Sequence, residues 1–170
     1  QGVSSAASDV YKRQGIYRIV IFKGGSKMDY IEFYNGNQMP MLGLGTFRVE
    51  NDDTCKEAVK HAIESGYRSI DTAKVYGNEE QVGQGIKEGL ESTGLNREDI
   101  FVTSKLFFED FGRKNVAQAY ETSIQKLGLD YLDLYLVHWP GTNEAIMIDT
   151  WKGMEAVSYT HLRAHETPEH

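Results

Sequence analysis

Three short apolar runs in the middle of the chain each end in an ionisable side chain, and their spacing constrains the fold more than any other feature. The runs end at Asp71, Lys105 and His138, which lie 34 and 33 residues apart. Between them lie stretches whose apolar residues recur at helical spacing. Strict alternation of strands and helices at a near-constant period predicts a parallel sheet with crossover helices. Functional residue types at successive strand ends are typical of a (β/α)8 barrel, whose active site lies at the C-terminal face.

A hairpin is predicted before the first of these units, because Asn35-Gly36-Asn37 separates two apolar runs. Further on, Asn78 opens the second helix and Asn115 caps the third. Gly83-Gln84-Gly85 falls inside a predicted helix rather than in the turn after a strand, which argues against a doubly wound dinucleotide-binding sheet. The sequence therefore predicts an α/β chain, the N-terminal portion of a parallel (β/α)8 TIM barrel with a leading β-hairpin, truncated after about four β/α units.

The two ends of the chain do not look like protein sequence. Codons for residues 9–14 and 156–161 can form an inverted repeat, which resembles the end of a transposase-based sequencing adapter. Lys23-Gly24-Gly25 can be encoded by a ribosome-binding site just upstream of Met28. We therefore expect the chain to consist of three parts. Residues 1–27 are expected to be a non-native or untranslated-region-like leader that lacks ordered structure. Residues 28–156 are expected to form a partial barrel, and 157–170 an adapter-like tail.

Composition disfavours several classes of partner and site. The chain has 25 acidic and 18 basic residues, a formal charge of −7, which argues against nucleic acid and anionic membranes as partners. Its single cysteine, Cys55, excludes an intramolecular disulfide and fits a reducing cytoplasm, and we expect it to be a small buried group on a helix. His161 and His165 have metal-ligand spacing but lie in the adapter-like tail, so no metal site is predicted.

Four side chains at the predicted strand ends suggest proton-transfer chemistry: Asp71, Tyr76, Lys105 and His138. A lysine ammonium beside a tyrosine stabilises the phenolate, so the hydroxyl can donate its proton to a carbonyl oxygen. An aspartate keeps the lysine charged and in place, and a histidine can orient the same oxygen. Structural interpretations remain open: Asp71–Lys105 as an ion pair, His138 as a core histidine, and Asp71 with Tyr76 as a turn cap and a surface residue. Because these residues occur together at three consecutive strand ends, we favour a catalytic role over the structural interpretations.

The residues around Asp71 resemble a signature of the aldo-keto reductase family. The match runs Gly-Tyr-Arg-Ser-Ile-Asp-Thr-Ala over 66–73 and continues at Glu79, Val82 and Gly83, while Gln84 departs from the Lys or Arg usual there. The resemblance covers 28–156. It implies an NADP(H)-dependent oxidoreductase that reduces aldehydes or ketones to alcohols by hydride transfer.

The resemblance also implies a role for each of the four residues. Tyr76 is the proton donor, Lys105 eases its ionisation, Asp71 is the partner of Lys105, and His138 orients the carbonyl. Cofactor contacts are implied at the end of the first parallel strand and at the aspartate: Gly45, Thr46, Phe47 and Asp71. Aromatic residues that follow strand ends are expected to form the substrate pocket, with packing under loops as the alternative for each: Phe47, Phe107, Phe108 and Trp139.

Two alternatives to the reductase remain: a non-catalytic nucleotide-binding module of the same fold, and a truncated product without activity of its own. The resemblance implies that later segments of the family carry most contacts to the nicotinamide and the 2′-phosphate. We therefore expect the 170-residue fragment alone to be inactive and its parent to be the enzyme. For the parent we expect a cytoplasmic location and a small-molecule carbonyl substrate, with neither nucleic acid nor membrane as a partner.

Overall fold

The computed structural model describes the backbone of residues 18–20 and 29–161, with side chains from 29 to 158. The chain divides into two compact units, Gln1–Leu42 and Gly43–His170. Most of the predicted leader and much of the predicted tail lie outside the described residues, so the three-part division of the chain stays a prediction. None of the helices among the described residues is long and apolar enough to cross a bilayer.

The first unit contains an antiparallel sheet of three short strands in the order β1-β2-β3. The strands are β1 (Arg18–Val20), β2 (Tyr30–Glu32) and β3 (Gln38–Pro40). The Phe33 amide donates to the Asn37 carbonyl oxygen at 2.8 Å across the turn, and Ile31 lies opposite Met39. The predicted hairpin is therefore confirmed. The strand β1 lies within 1–27, where we expected a leader without ordered structure.

The second unit alternates strands and helices. Its elements are β4 (Leu44–Gly45), α1 (Asp53–Glu64), β5 (Ser69–Asp71), α2 (Glu79–Thr93), β6 (Phe101–Leu106), α3 (Arg113–Leu127), β7 (Leu134–Val137) and α4 (Glu144–His161). The four strands form a parallel sheet in the order β4-β5-β6-β7, so each crossover joins neighbouring strands. The predicted parallel alternation is confirmed, and α4 extends past residue 156 into the stretch assigned to the tail.

The register of the sheet brings the strand ends to one edge. Gly45 pairs with Asp71, Asp71 pairs with Thr103, and Lys105 pairs with Leu136. Side chains that leave the C-terminal ends of parallel strands therefore meet above the same edge. On the other side of the strands, apolar helix faces form the core. Cys55 of α1 is fully buried there, as predicted, and burial raises the pKa of its thiol.

The start of α3 differs from the prediction, because Asn115 does not cap it. Gly112 is the N-cap residue, and Asn115 instead donates its side-chain amide to the Phe111 carbonyl oxygen at 2.9 Å. Acceptors from α4 replace the missing cap: Thr150 Oγ1 accepts the Gly112 amide, and Asp149 Oδ2 accepts the Arg113 amide, both at 2.8 Å. Side chains distant in sequence thus satisfy donors that are usually satisfied locally.

An ion pair fixes the opposite, N-terminal ends of the strands. Arg97 approaches Asp133 at 2.8 Å and also donates to the Tyr131 carbonyl oxygen at 2.9 Å. The same carboxylate oxygen of Asp133 accepts the amide of Val102 in β6 at 2.9 Å. The arrangement joins the starts of β6 and β7 and does not involve their C-terminal ends.

The glycines at 83 and 85 are packing residues of α2. A Cβ added at Gly83 would lie 2.1 Å from the Leu127 carbonyl oxygen at the end of α3, and one added at Gly85 would lie 2.5 Å from the Lys56 carbonyl oxygen in α1. Both obstacles are backbone atoms, which a rotamer change cannot move. The two glycines thus let α2 approach a neighbouring helix on each side, and their place inside a helix confirms that they are not a phosphate-binding turn.

We expect Gly83→Ala to destabilise the protein. Helix propensity alone would favour alanine by about 1 kcal/mol, but the clash with backbone should outweigh it and lower the free energy of unfolding by about 1–3 kcal/mol. Urea unfolding measured against Gln84→Ala, an exposed position in the same helix, separates the two effects. A Gly83→Ala protein as stable as the control would show that α2 and α3 are not in close contact.

Candidate active site

Lys105 stands at the centre of the candidate site. Its Nζ donates to Asp71 Oδ1 at 2.5 Å, to the Thr72 carbonyl oxygen at 2.9 Å and to the Tyr76 hydroxyl oxygen at 3.3 Å. An ammonium has three donors and no acceptor, so these three oxygens use its full bonding capacity. The Lys105 side chain is 12% exposed and that of Asp71 is 40% exposed, which leaves the carboxylate open to a ligand. The sheet thus presents a fixed cation beneath a tyrosine hydroxyl.

A short turn after β5 places Tyr76 over Lys105. The chain leaves the strand through buried Thr72 and Ala73, forms a 3-10 turn over Lys74–Tyr76 and ends it at Gly77. Gly77 has φ +72, a left-handed conformation that glycine adopts without steric cost, and its amide donates to the Lys74 carbonyl oxygen. This sharp exit from the strand turns the tyrosine back towards the neighbouring strand end.

His138 follows β7 and closes the group. Its amide donates to the Leu106 carbonyl oxygen at 2.9 Å, and its ring meets that of Tyr76 edge-on with centroids 5.6 Å apart. Within the described residues, Nδ1 is buried without a hydrogen-bond partner. Burial lowers the pKa of His138, the Lys105 ammonium lowers it further, and Asp71 opposes both more weakly. A histidine with a lowered pKa is neutral at neutral pH.

All four predicted catalytic residues therefore come together at one edge of the sheet, although their roles stay predictions. They adjoin a cavity of about 880 Å³ that Tyr76 and His138 help to line. The four predicted pocket residues also line it: Phe47, Phe107, Phe108 and Trp139. The Phe47 ring lies 5.1 Å from that of Tyr76, and the Phe107 ring lies 4.2 Å from that of Phe108. Tyr76 and His138 thus lie between aromatic side chains.

Part of the cavity wall is not evident in the sequence. Val75, Phe111 and Ile146 line it together with the segment 140–143. Val75 lies within the turn that carries Tyr76, so its position was accessible from local sequence. Phe111 and Ile146 precede or begin helices and have no pattern that separates them from core residues. Their contribution depends on how α3 and α4 pack.

The predicted cofactor residues differ in how open they are. A Cβ added at Gly45 would meet no atom within 4 Å, so the backbone there is open to a ligand, and the Phe47 side chain is exposed. Thr46 is buried instead. Its Oγ1 contacts the Asp71 carbonyl oxygen at 3.2 Å and the Asn78 side-chain oxygen at 3.5 Å. Any contribution of the Thr46 side chain to ligand binding would therefore be indirect.

Asn78 is a residue of this site that the sequence does not reveal. It occupies the N-cap position of α2 but makes no side-chain cap hydrogen bond. Its Nδ2 instead donates to the carbonyl oxygens of Thr46 and Val49, both at 2.9 Å, and its Oδ1 accepts the Thr72 hydroxyl at 3.3 Å. Fully buried, it joins the segment that carries Phe47 to the turn that carries Tyr76. Asparagine is so common at helix starts that sequence alone suggests only a cap.

Glu79 joins α2 to β6 through a contact that the sequence does not reveal. Its Oε1 accepts the Ser104 hydroxyl at 2.7 Å, and the side chain is almost fully buried. Ser104 immediately precedes Lys105, so this bond fixes the backbone next to the lysine. An acidic side chain in the first turn of a helix usually interacts with the helix N-terminus, whereas that of Glu79 contacts the strand.

We expect Asn78→Asp to loosen both segments that the amide joins. The substitution keeps the shape but replaces Nδ2 by an oxygen that faces two carbonyl oxygens, so the amides in 46–49 and 72–77 should exchange with solvent faster. A loss of about 1–3 kcal/mol in their opening free energy is expected for unsatisfied buried groups. Hydrogen exchange by mass spectrometry measures this directly.

Asn115→Asp is the matched control, since it also removes an amide donor to a backbone oxygen but at an exposed position. Thr72→Val is a milder variant that removes only the hydroxyl bond to Asn78. Equal exchange of 46–49 in all variants and in the unmodified protein would show that Asn78 does not hold these segments.

We expect His138 to titrate below its ordinary pKa of about 6.5. The charges around it give opposite shifts: Lys105→Met should raise the pKa of His138, and Asp71→Asn should lower it. Because the folded-state pKa is lower than the unfolded one, protonation of this ring favours unfolding. Its stabilising contribution should therefore be complete above pH 6.5 and decline as the pH falls through the folded-state pKa. Histidine NMR titration measures the shifts, and shifts of the same sign in the two variants would contradict the electrostatic account.

Comparison with known proteins agrees with this geometry. The Aldo/keto reductase family model matches residues 41–159. An uncharacterised oxidoreductase of Bacillus subtilis, YtbE, is 52% identical over 124 residues, which are 73% of this chain and 44% of that protein. The glyoxal reductase of Bacillus subtilis is 51% identical over 130 residues, 76% of this chain and 45% of that protein. The chain thus spans somewhat less than half the length of these relatives.

Solved structures give the same result. The crystal structure of Bombyx mori aldo-keto reductase AKR2E4 in complex with NADP matches with a TM-score of 0.71 at 42% identity, covering 79% of this chain and 48% of that one. An aldo/keto reductase from Brucella melitensis matches with a TM-score of 0.73 at 39% identity, covering 80% of this chain and 50% of that one. The predicted fold class, part of a parallel (β/α)8 barrel, is confirmed, and the chain belongs to the aldo/keto reductase family.

Proposed function

We propose that the full-length product of this gene reduces aldehydes or ketones to alcohols with NADPH as the hydride donor. The observation that carries the proposal is the contact of Asp71, Lys105 and Tyr76 through consecutive hydrogen bonds, with the ring of His138 beside the tyrosine and an aromatic cavity above. A structural ion pair would explain the aspartate and the lysine alone. It would not explain why the lysine also meets a tyrosine that lines a cavity.

The residues present fit the reduced nicotinamide in two respects. The open backbone at Gly45 allows a flat ring to approach. The partly exposed carboxylate of Asp71, opposite Gly45 in the sheet register, can accept a hydrogen bond from a sugar hydroxyl of the cofactor. Gly45, Phe47 and Asp71 are the side of the site that would hold the cofactor. NADPH, when bound, supplies the hydride that a carbonyl carbon accepts. The NADP complex of the Bombyx mori relative supports the choice of cofactor.

The proton chemistry belongs to this chain's own residues. As the carbonyl carbon is reduced, its oxygen gains negative charge, and the Tyr76 hydroxyl donates the proton that completes the alcohol. The Lys105 ammonium, 3.3 Å from the hydroxyl oxygen, stabilises the phenolate that remains. Asp71 holds Lys105 in place. His138 stays neutral and can therefore orient the carbonyl oxygen without introducing a second positive charge.

The cavity favours small or aromatic carbonyl compounds. Phe47 and Trp139 present exposed rings, and Phe107 lies 5.9 Å from the ring of His138, so a planar substrate can stack close to the reacting groups. The similarity to glyoxal reductase supports small carbonyls as well. We further propose a cytoplasmic location and no nucleic-acid or membrane partner, in keeping with the acidic charge of the chain.

We expect Tyr76→Phe, made in the full-length protein, to abolish most of the activity. NADPH oxidation followed at 340 nm with 4-nitrobenzaldehyde should fall by about 10²–10⁴-fold, the usual contribution of a positioned acid, while the fold remains intact. Tyr34→Phe, at a highly exposed tyrosine of the hairpin, is the matched control. A Tyr76→Phe protein with full activity would overturn the assigned role.

The alternative of a non-catalytic nucleotide-binding module gives a different result in the same experiment. Such a protein would quench or enhance NADPH fluorescence on binding, without turnover of any aldehyde. Binding without turnover in the unmodified full-length protein would therefore exclude the reductase, whereas turnover that depends on Tyr76 would exclude the module.

A further inference from the structure

An ion pair beside the candidate active site has no part in the proton chemistry. Lys74 Nζ contacts Asp110 Oδ2, and the residues are 36 positions apart in the chain. Lys74 is the first residue of the 3-10 turn Lys74–Tyr76, and Asp110 is the last residue of the 3-10 turn Phe108–Asp110. The pair thus joins the loop after β5 to the loop after β6.

Each partner lies next to a wall of the cavity. Val75 and Tyr76 follow Lys74 directly, and Phe107 and Phe108 precede Asp110 by two or three residues; all four line the cavity. The Phe108 turn has no side-chain cap at its start, and its own backbone bonds run from the Asp110 amide to the Phe107 carbonyl oxygen and from the Phe111 amide to the Phe108 carbonyl oxygen. The ion pair adds a link from this turn to the loop that carries the proton donor.

The pair is shielded enough to have a measurable effect. The side chains of Lys74 and Asp110 are 29% and 21% exposed. A pair in this environment is less screened by solvent than one between fully exposed groups. It is also separate from the central lysine, because Lys105 is bonded to Asp71 and Lys74 to Asp110.

We propose that the Lys74–Asp110 ion pair determines substrate preference by holding the Phe107–Phe108 wall at a fixed distance from Tyr76. This inference rests on the proposed carbonyl reduction. An aromatic substrate needs a fixed wall to stack on, because a mobile wall must be ordered at a cost in binding free energy. A small aldehyde has no ring to stack on the wall and therefore gains much less from its fixed position. The pair therefore favours aromatic carbonyls over small ones.

The test compares two substrates in variants that break the pair. Lys74→Met and Asp110→Asn should each raise KM for 4-nitrobenzaldehyde by about threefold to fivefold, as expected for a partly shielded ion pair. KM for propanal and kcat for both aldehydes should change by less than about twofold. The double substitution Lys74→Asp/Asp110→Lys, which reverses the charges, should restore KM for 4-nitrobenzaldehyde.

Lys60→Met is the matched control. Lys60 pairs with Glu88 at 3.9 Å on the helices, and its side chain is 28% exposed, almost as much as that of Lys74. KM for the aromatic aldehyde should be unchanged in this variant. An unchanged KM in the Lys74 and Asp110 variants, an equal rise for both aldehydes, or no recovery in the charge-reversed protein would each overturn the proposal.

Hydrogen exchange separates this inference from the proposed function. Amides of residues 108–111 should exchange about threefold to fivefold faster in Lys74→Met and Asp110→Asn and recover in the charge-reversed protein. If the unmodified full-length protein turns over no aldehyde, the proposed function fails, and with it the role in substrate preference. The exchange rates would still show whether the pair holds the wall. If the full-length protein is active but the amides of 108–111 exchange equally fast in the variants and in the unmodified protein, the role of the ion pair is overturned and the proposed function is not.

Discussion

The three hydrogen bonds of Lys105 are the interaction on which the site depends. Two of the three oxygens belong to Asp71 and Thr72, and the third belongs to the tyrosine of the turn that follows β5. The bonds can form only if β5 and β6 pair in the observed parallel register. A shift of one residue would turn the lysine to the other face of the sheet. The pairing of two short strands therefore decides whether the four side chains meet.

Topology explains why so much of this arrangement could be predicted. Once strands are parallel and alternate with helices, their C-terminal ends must lie at one edge, so Asp71, Lys105 and His138 converge whatever the details of packing. Tyr76 follows from its distance along the turn. The hairpin around Gly36 also depends on neighbouring residues only, since β-hairpin turns have strong residue preferences. These features depend on sequence neighbours or on strand order alone.

The features that could not be predicted depend on choices between local and distant partners. Asn78 occupies the N-cap position of α2, yet its side chain bonds to two other loops instead. The sequence predicts that Asn115 caps α3, but the cap position belongs to Gly112, and acceptors from α4 satisfy the free amides there. Local preference describes what a residue can do in a short peptide, and tertiary contacts then compete with it. The sequence does predict that Gly83 lies inside a helix, but not that it packs against the Leu127 carbonyl oxygen, because that contact depends on a distant helix.

The two lysine–aspartate pairs of the site, Lys105–Asp71 and Lys74–Asp110, lie on different parts of the fold. Lys105 and Asp71 lie on paired strands of the sheet, whereas Lys74 and Asp110 lie on two loops that their ion pair joins. Loops change sequence without disturbing the sheet, so the wall at Phe108 can vary while Tyr76 and its partners stay in place. If the proposed reduction is correct, such a site can change the carbonyl compound that it accepts without changing how the proton is transferred. The geometry thus separates the residues expected to set reactivity from those expected to set preference.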